Sequence, residues 1–540
     1  MSSASRKEER LAQISEAYER LQSWRGVARE LGIPRSTVRH YQRMLGAAPL
    51  PIAGGDVFAM QAKKMPLPKK GEVKRYILTC AQNNTYHHEQ AWANLIALAE
   101  HYDAQVLISR FAYNKGAYGQ QKSVKPGSAI TGRREELWYD PELTEHFSDQ
   151  RIQLAPGLVW CGESNISPTA IRPLSGMESY TGRDSAIFPH VKVAMTSVAS
   201  GKHEGVKLLY TTGTVTQRNY IQRKAGLKAE FHHTYGGLLV EVNHRGNWFV
   251  RQLNASGSDG SIYDLDVLAK DGEITEGNRV EAVTFGDIHA AQVDEVVAAL
   301  GWGPGGMLDV LKPKQVHLHD LIDFRSRNHH DRGNPHLNFQ KFVDGLDDVD
   351  QEMAQAAELV KEFMRDDTDV FVIQSNHDNA LLRWLREADY RQDPTNALFF
   401  LSCQKRVYES IAFKEENFHL LEWVMRQNGV PIPVFFLRTD QEHIICPDRG
   451  SGIECGMHGH EGPNGSRGSA ISFSKMGRKC NIGHSHSAGI VDGVYVAGTS
   501  SKLDCGYNTG PSSWTHSHIV TYPNGKRSII TMYAGDWRAR

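Results

Sequence analysis

The feature that most constrains this chain is a repeated ending: apolar runs of strand length that stop at acidic, amide or imidazole side chains. Val283-Thr-Phe-Gly-Asp-Ile-His289 ends its run at Gly286 and then presents Asp287 and His289. Val316-His-Leu-His-Asp-Leu-Ile-Asp323 places Asp320 after a second run. Val370-Phe-Val-Ile-Gln-Ser-Asn-His-Asp378 places Asn376, His377 and Asp378 after a third. Met457-His458-Gly459-His460 and Ile482-Gly-His-Ser-His486 complete the series. In open α/β sheets, ligand sites assemble at the carboxyl ends of the strands. Groups in this order therefore predict a sheet that gathers them. Carboxylate, amide and imidazole donors without thiolate suit Mn, Mg, Zn or Fe rather than a closed structural zinc site. More than four such donors imply two metals, and ions ~3.5–4 Å apart clamp the attacking and leaving oxygens of a phosphoryl transfer.

The ordered motifs Asp287-x-His289, His319-Asp320-x-x-Asp323, Ser375-Asn-His-Asp378, His458-Gly459 and Gly483-His-Ser-His486 resemble those of the calcineurin-like metallophosphoesterases, which include SbcD-type nucleases. That pattern carries glycine where this chain has His319 and Ser375, a difference that bears on two turns and not on the donors after them. The resemblance covers roughly residues 280–520. It implies an α/β (α+β) fold, a two-sheet sandwich flanked by helices. It also implies one metal held by Asp287, His289, Asp320 and His486, and a second held by Asp320, Asn376, His458 and His484. Asp320 would bridge the two divalent ions, with Mn foremost and Mg, Zn or Fe compatible. His377 would give a proton to the leaving group, with Asp378 fixing its ring. His458 fits the pattern better than His460, which would line the site. Asp323 reads as structural, and His319 either supports the donors or fills the place of the missing glycine.

Ahead of this region the chain divides by composition. Residues 1–46 read as a helical module. Val27-Ala28-x-x-Leu31-Gly32-Ile33-Pro34-x-Ser36-Thr37-Val38 looks like a helix-turn-helix, with Gly32 closing one helix and Pro34 and Ser36 opening the next. Arg35, Arg39 and Arg43 would then face phosphates or bases in a major groove. The competing reading is an assembly module with a solvated basic face. Residues 47–74 form a Pro- and Gly-rich basic linker. Residues 75–278 begin with strand, helix near Glu89–His101, and strand, a pattern that predicts a parallel pair. This region is either a separate α/β domain or an elaboration of the metal domain at 279–540. Its His87, His88, His232 and His233 read as surface or core groups. In the metal domain, the loop from Phe324 to His336 carries Arg325, Arg327 and Arg332, which match phosphate oxygens well and are expected to grip substrate. A plain polar surface loop is the alternative.

The 540 residues allow several domains, and the formal charge of −1 selects no partner. The seven cysteines are scattered without a C-x-x-C pair, which argues against a disulfide framework and for a reducing cytoplasm. No ~20-residue apolar run predicts a membrane span, and the polar start is unlike a signal peptide. GxxxxGK[ST] is absent, so ATP-driven chemistry is not indicated. The site residues point to phosphoester hydrolysis, and the amino-terminal module points to DNA. The whole arrangement resembles the first-step-transfer proteins of tailed phages, which implies a Mn- or Mg-dependent DNase acting in the infected host's cytoplasm, and a homo-oligomer is expected. A phosphatase or small phosphodiesterase with a helical assembly module, and a non-enzymatic DNA-binding regulator, are the competing readings.

Overall fold

Six strands run across the centre of the metal-domain region, in the order Val434–Leu437, Asp369–Ile373, Gln315–His319, Ala282–Thr284, Ser517–Thr521 and Arg527–Thr531. The first four are mutually parallel, and the last two form an antiparallel hairpin on the edge of Ala282–Thr284. The hairpin turns at Pro523-Asn524-Gly525, where Gly525 takes φ +72°. The parallel order brings the ends of Ala282–Thr284, Gln315–His319 and Asp369–Ile373 side by side. Asp287, Asp320 and Asn376 leave the sheet from that edge.

This computed structural model describes residues 13–21, 24–33, 62–113, 138–201, 204–329, 331, 333–506 and 508–540. Met1–Gln61 and Ala62–Arg540 are two compact units. In the first, helices at 13–21 and Trp24–Glu30 bury Ile14, Ala17, Val27, Ala28 and Ile33 together. Gly32 closes the second helix at φ +61°, and the Ile33 amide donates to the Ala28 carbonyl at 3.1 Å. Arg35, Arg39 and Arg43 lie outside the described residues, as does Arg332.

Helix Val349–Glu362 forms from local signals. Asp348 caps Val349–Glu362 by accepting the Gln351 amide, and Val349, Met353, Ala356 and Val360 form its buried face. Burial of each larger side chain contributes ~1.5–3 kcal/mol. Phe285, on the loop that leads to Asp287, packs edge-on against Trp302 and Phe363. The predicted parallel pair Val73–Gln82 and Ala104–Phe111, joined through helix Glu89–His101, is present within a four-stranded sheet.

Strands from both sides of residue 279 share one sheet. In the eleven-stranded sheet, Met195–Val198 pairs antiparallel with Gly489–Val491, which forms a hairpin with Val494–Val496. Further ties run from Gln252, whose Oε1 accepts the Ile529 amide at 2.8 Å. The 75–278 region is thus built into the same mixed α/β unit as the metal-domain region. Among the described residues, no helix is long and apolar enough to cross a membrane.

Candidate metal centre

The strand that ends at Thr284 approaches residues 498–499 closely. A Cβ on Gly286 would lie 2.6 Å from the Gly498 carbonyl carbon and from the Thr499 nitrogen. Only glycine lets the chain pass there and deliver Asp287 beneath that segment. The Asp287 amide donates to the Gly498 carbonyl at 3.1 Å. The neighbouring loops are laced together, with the Ile288 amide on the His319 carbonyl (2.9 Å) and the His289 amide on the Asp320 carbonyl (2.8 Å). His289, Asp320, His484 and His486 all adopt positive φ, at 48°, 46°, 72° and 55°. Such backbone costs roughly 1–3 kcal/mol per residue and clusters at functional sites.

These turns bring side chains from four loops to one buried place. Donor atoms of Asp287, His289, Asp320 and His486 lie within 4.8 Å of one another, and so do those of Asp320, His458 and His484. Asp320 belongs to both groups. His486 Nε2 is 3.1 Å from Asp287 Oδ2 and 3.1 Å from His289 Nε2, while His458 Nε2 is 3.3 Å from Asp320 Oδ2. Asp287 Oδ1 and Asp320 Oδ1 are buried and accept no hydrogen bond. Buried carboxylate oxygens without a donor are costly, and a divalent cation would satisfy them. The donor set therefore fits a metal ion.

Electrostatics carries the same message. Burial would lower the basicity of His289, but Asp323, Asp320 and Asp287 outweigh it and raise its pKa to about 9. Burial would raise Asp320, yet the surrounding histidines, His458 foremost, hold it well below the usual carboxylate range. Burial and His458 push His484 down to about 4. Asp378 is pushed up to about 6, first by burial and then by Asp320.

A third group joins His289, Asp323 and His377. Asp323 Oδ1 is 3.3 Å from His289 Nδ1 and 3.6 Å from His377 Nδ1, and the Asp323 carbonyl is 3.1 Å from the same His377 nitrogen. The side chain read as structural thus faces both rings. Asp378, expected to fix the His377 ring, is turned away from that task. Its oxygens accept the Ile322 amide at 3.2 Å and the Ser375 amide at 3.1 Å. Ser375 Oγ in turn accepts the Asp378 amide at 3.0 Å. The serine in place of glycine closes this turn with a reciprocal pair, which leaves the Asp378 carboxylate committed to backbone.

His319 is fully buried, with Nδ1 3.4 Å from His458 Nδ1. It stands beside His458. His458 rather than His460 reaches Asp320; His460 and the exposed Asn376 line the adjoining cleft. Arg327, expected to grip substrate, is committed to Asp393 through two contacts of 2.6 Å. A bidentate partner of that quality leaves it no free fork. Arg325 anchors its loop through backbone, its amide donating to Glu352 and its carbonyl accepting Lys341 Nζ. Sequence reasoning did not single out Trp514, whose ring lies 4.2 Å from that of His486, or Arg383 and Arg386 on the cleft wall.

Gly483 offers a direct test of the packing. A Cβ there would fall 2.1 Å from Asp287 Oδ1 and 3.2 Å from His319 Cβ. Gly483→Ala is therefore expected to displace Asp287 and to lower divalent-metal affinity at least tenfold, as read by calorimetric titration. Wild-type affinity in this variant would show that Asp287 is not where metal binds.

No family model matches the chain, and no solved structure matches it. Protein A1 of Escherichia phage T5 is 39% identical over 477 residues, covering 86% of this chain and 83% of that protein. Identity of this extent, spread over most of both chains, places the protein in the phage family that includes Protein A1.

Proposed function

We propose that this protein is a two-metal phosphodiesterase of the calcineurin-like type, and that its substrate is DNA in the infected host's cytoplasm. The observation that carries the reading is Asp320, which belongs to both the Asp287–His289–His486 group and the His458–His484 group. A carboxylate shared between two clusters of imidazole and carboxylate donors suits a pair of divalent ions. Asp287, His289, Asp320 and His486 would hold one ion. Asp320, His458 and His484 would hold the other, with Asn376 as a further donor. Divalent ions in such a site supply a nucleophile from water near neutral pH and neutralise phosphate charge; Mn is the favoured metal, with Mg, Zn or Fe compatible.

The protein's own groups do the rest. His377 is partly exposed, so its outer nitrogen can reach a leaving oxygen, while Asp323 holds its Nδ1 side. Buried His319 keeps the His458 ring in place. Incubation of purified protein with linear, circular and single-stranded DNA, with each metal or with chelator, tests the assignment. Metal-dependent loss of DNA supports it. Intact DNA alongside rapid hydrolysis of small phosphomonoesters would favour a phosphatase.

The helix-turn-helix pattern of the first unit supports DNA as the partner. Replacing Arg35, Arg39 and Arg43 together by alanine is expected to weaken duplex binding and to flatten its salt dependence by ~0.9 for each phosphate no longer neutralised. Fluorescence anisotropy across a salt series checks this. An unchanged slope would leave the module an assembly role.

A further inference from the structure

We infer that the cleft beside Asn376 is a phosphate-binding subsite for the nucleic-acid strand, with Arg386 and Arg383 holding phosphates next to the one being cleaved. The inference rests on the phosphodiesterase reading and adds where the rest of the strand lies.

The cleft has a volume of about 720 Å³ and is lined by Asn376, His460, His329, Arg383 and Arg386. Asn376 and His460 put one end of it at the candidate centre. Helix Ala380–Glu387 begins just after the Asn376-His377-Asp378 turn and forms a wall. Leu381, Trp384 and Leu385 bury one face of this helix. Asn379, Arg383 and Arg386, spaced by four and three residues, fall on another face and span ~10 Å along the helix axis. Because the helix is pinned by its buried face, this row is held at a set distance from the scissile position.

The two arginines are available in a way that Arg327 is not. Arg386 is exposed and makes no ion pair or hydrogen bond to any described residue. Arg383 pairs with Glu387 at 2.8 Å, but the two side chains are 51% and 39% exposed. Exposed pairs of this kind contribute little, so a phosphate can replace Glu387 at little cost. Glu461, at the rim, is 56% exposed and can turn to solvent. Two arginines one turn apart on a helix that begins at the Asn376 turn fit successive phosphates of a strand.

The experiment uses the full-length protein with Mn and a short, fluorescein-labelled, single-stranded deoxyoligonucleotide carrying phosphorothioate linkages. Arg386→Glu is expected to weaken binding at least tenfold and to reduce the salt slope by ~0.7, the share of one phosphate on a single strand. Arg386→Lys should keep the slope and most of the affinity, because it keeps the charge. Wild-type affinity and slope in Arg386→Glu would overturn the subsite, and so would Arg386→Lys as weak as Arg386→Glu. Hydrolysis of bis-p-nitrophenyl phosphate by wild-type protein separates the two levels. If wild type cleaves that diester while Arg386→Glu binds normally, only the subsite falls. If wild type cleaves no diester with any metal, the parent reading falls with it.

Discussion

Asp320→Ala is expected, if the proposed two-metal reading holds, to yield a folded protein with neither bound divalent metal nor phosphodiesterase activity. Asp320 is the carboxylate common to the two donor groups, and its Oδ1 is a buried oxygen with no hydrogen-bond donor. Without it, each group loses an acidic donor, and the His458–His484 group keeps no carboxylate at all. Transition-state stabilisation by bound metal is worth several kcal/mol. At 1.36 kcal/mol per tenfold, the rate should fall by at least about a thousandfold. Metal content by mass spectrometry and the rate on bis-p-nitrophenyl phosphate check this together. Mn should raise the Tm of the wild type and not of this variant, since a ligand stabilises only the state that binds it. Retained metal with unchanged turnover would remove Asp320 from the bridge and would sink the two-metal reading.

His377→Ala should behave differently. General acid catalysis contributes roughly 10²–10⁴-fold, so cleavage of DNA should slow by that amount while both metals stay bound. The loss should be smaller on bis-p-nitrophenyl phosphate, because nitrophenolate leaves with little help from a proton. Metal content and the ratio of the two rates separate the possible roles. If metal is lost along with activity, His377 is a ligand. Its place beside His289 and Asp323 in the third donor group gives that outcome a structural basis.

Much of the fold was legible in order along the chain. The β-α-β unit near residue 75 stands where periodicity put it. The donor residues were legible too, because each follows a strand of apolar residues and strands of one sheet end near one another. What the positions did not reveal is which neighbour each polar group faces. Asp378 and Asp323 both belong to motifs that surround His377, and only the folded turn shows that Asp323 faces the ring while Asp378 is held by amides of Ile322 and Ser375. Arg327 has the chemistry of a phosphate clamp, but Asp393, 66 residues away, takes its guanidinium.

The sequence alone determined which chemical groups this protein carries and the order in which strands deliver them, since strand period, caps and turns act between residues a few positions apart. The tertiary structure alone decided that Asp323 and not Asp378 faces His377, that Arg327 is taken by Asp393, that Arg386 is left free of described partners beside the cleft, and that strands from 63–211 and 444–496 share one sheet. Those outcomes depend on competition for partners across long sequence separations, and that competition is settled only when the chain has packed.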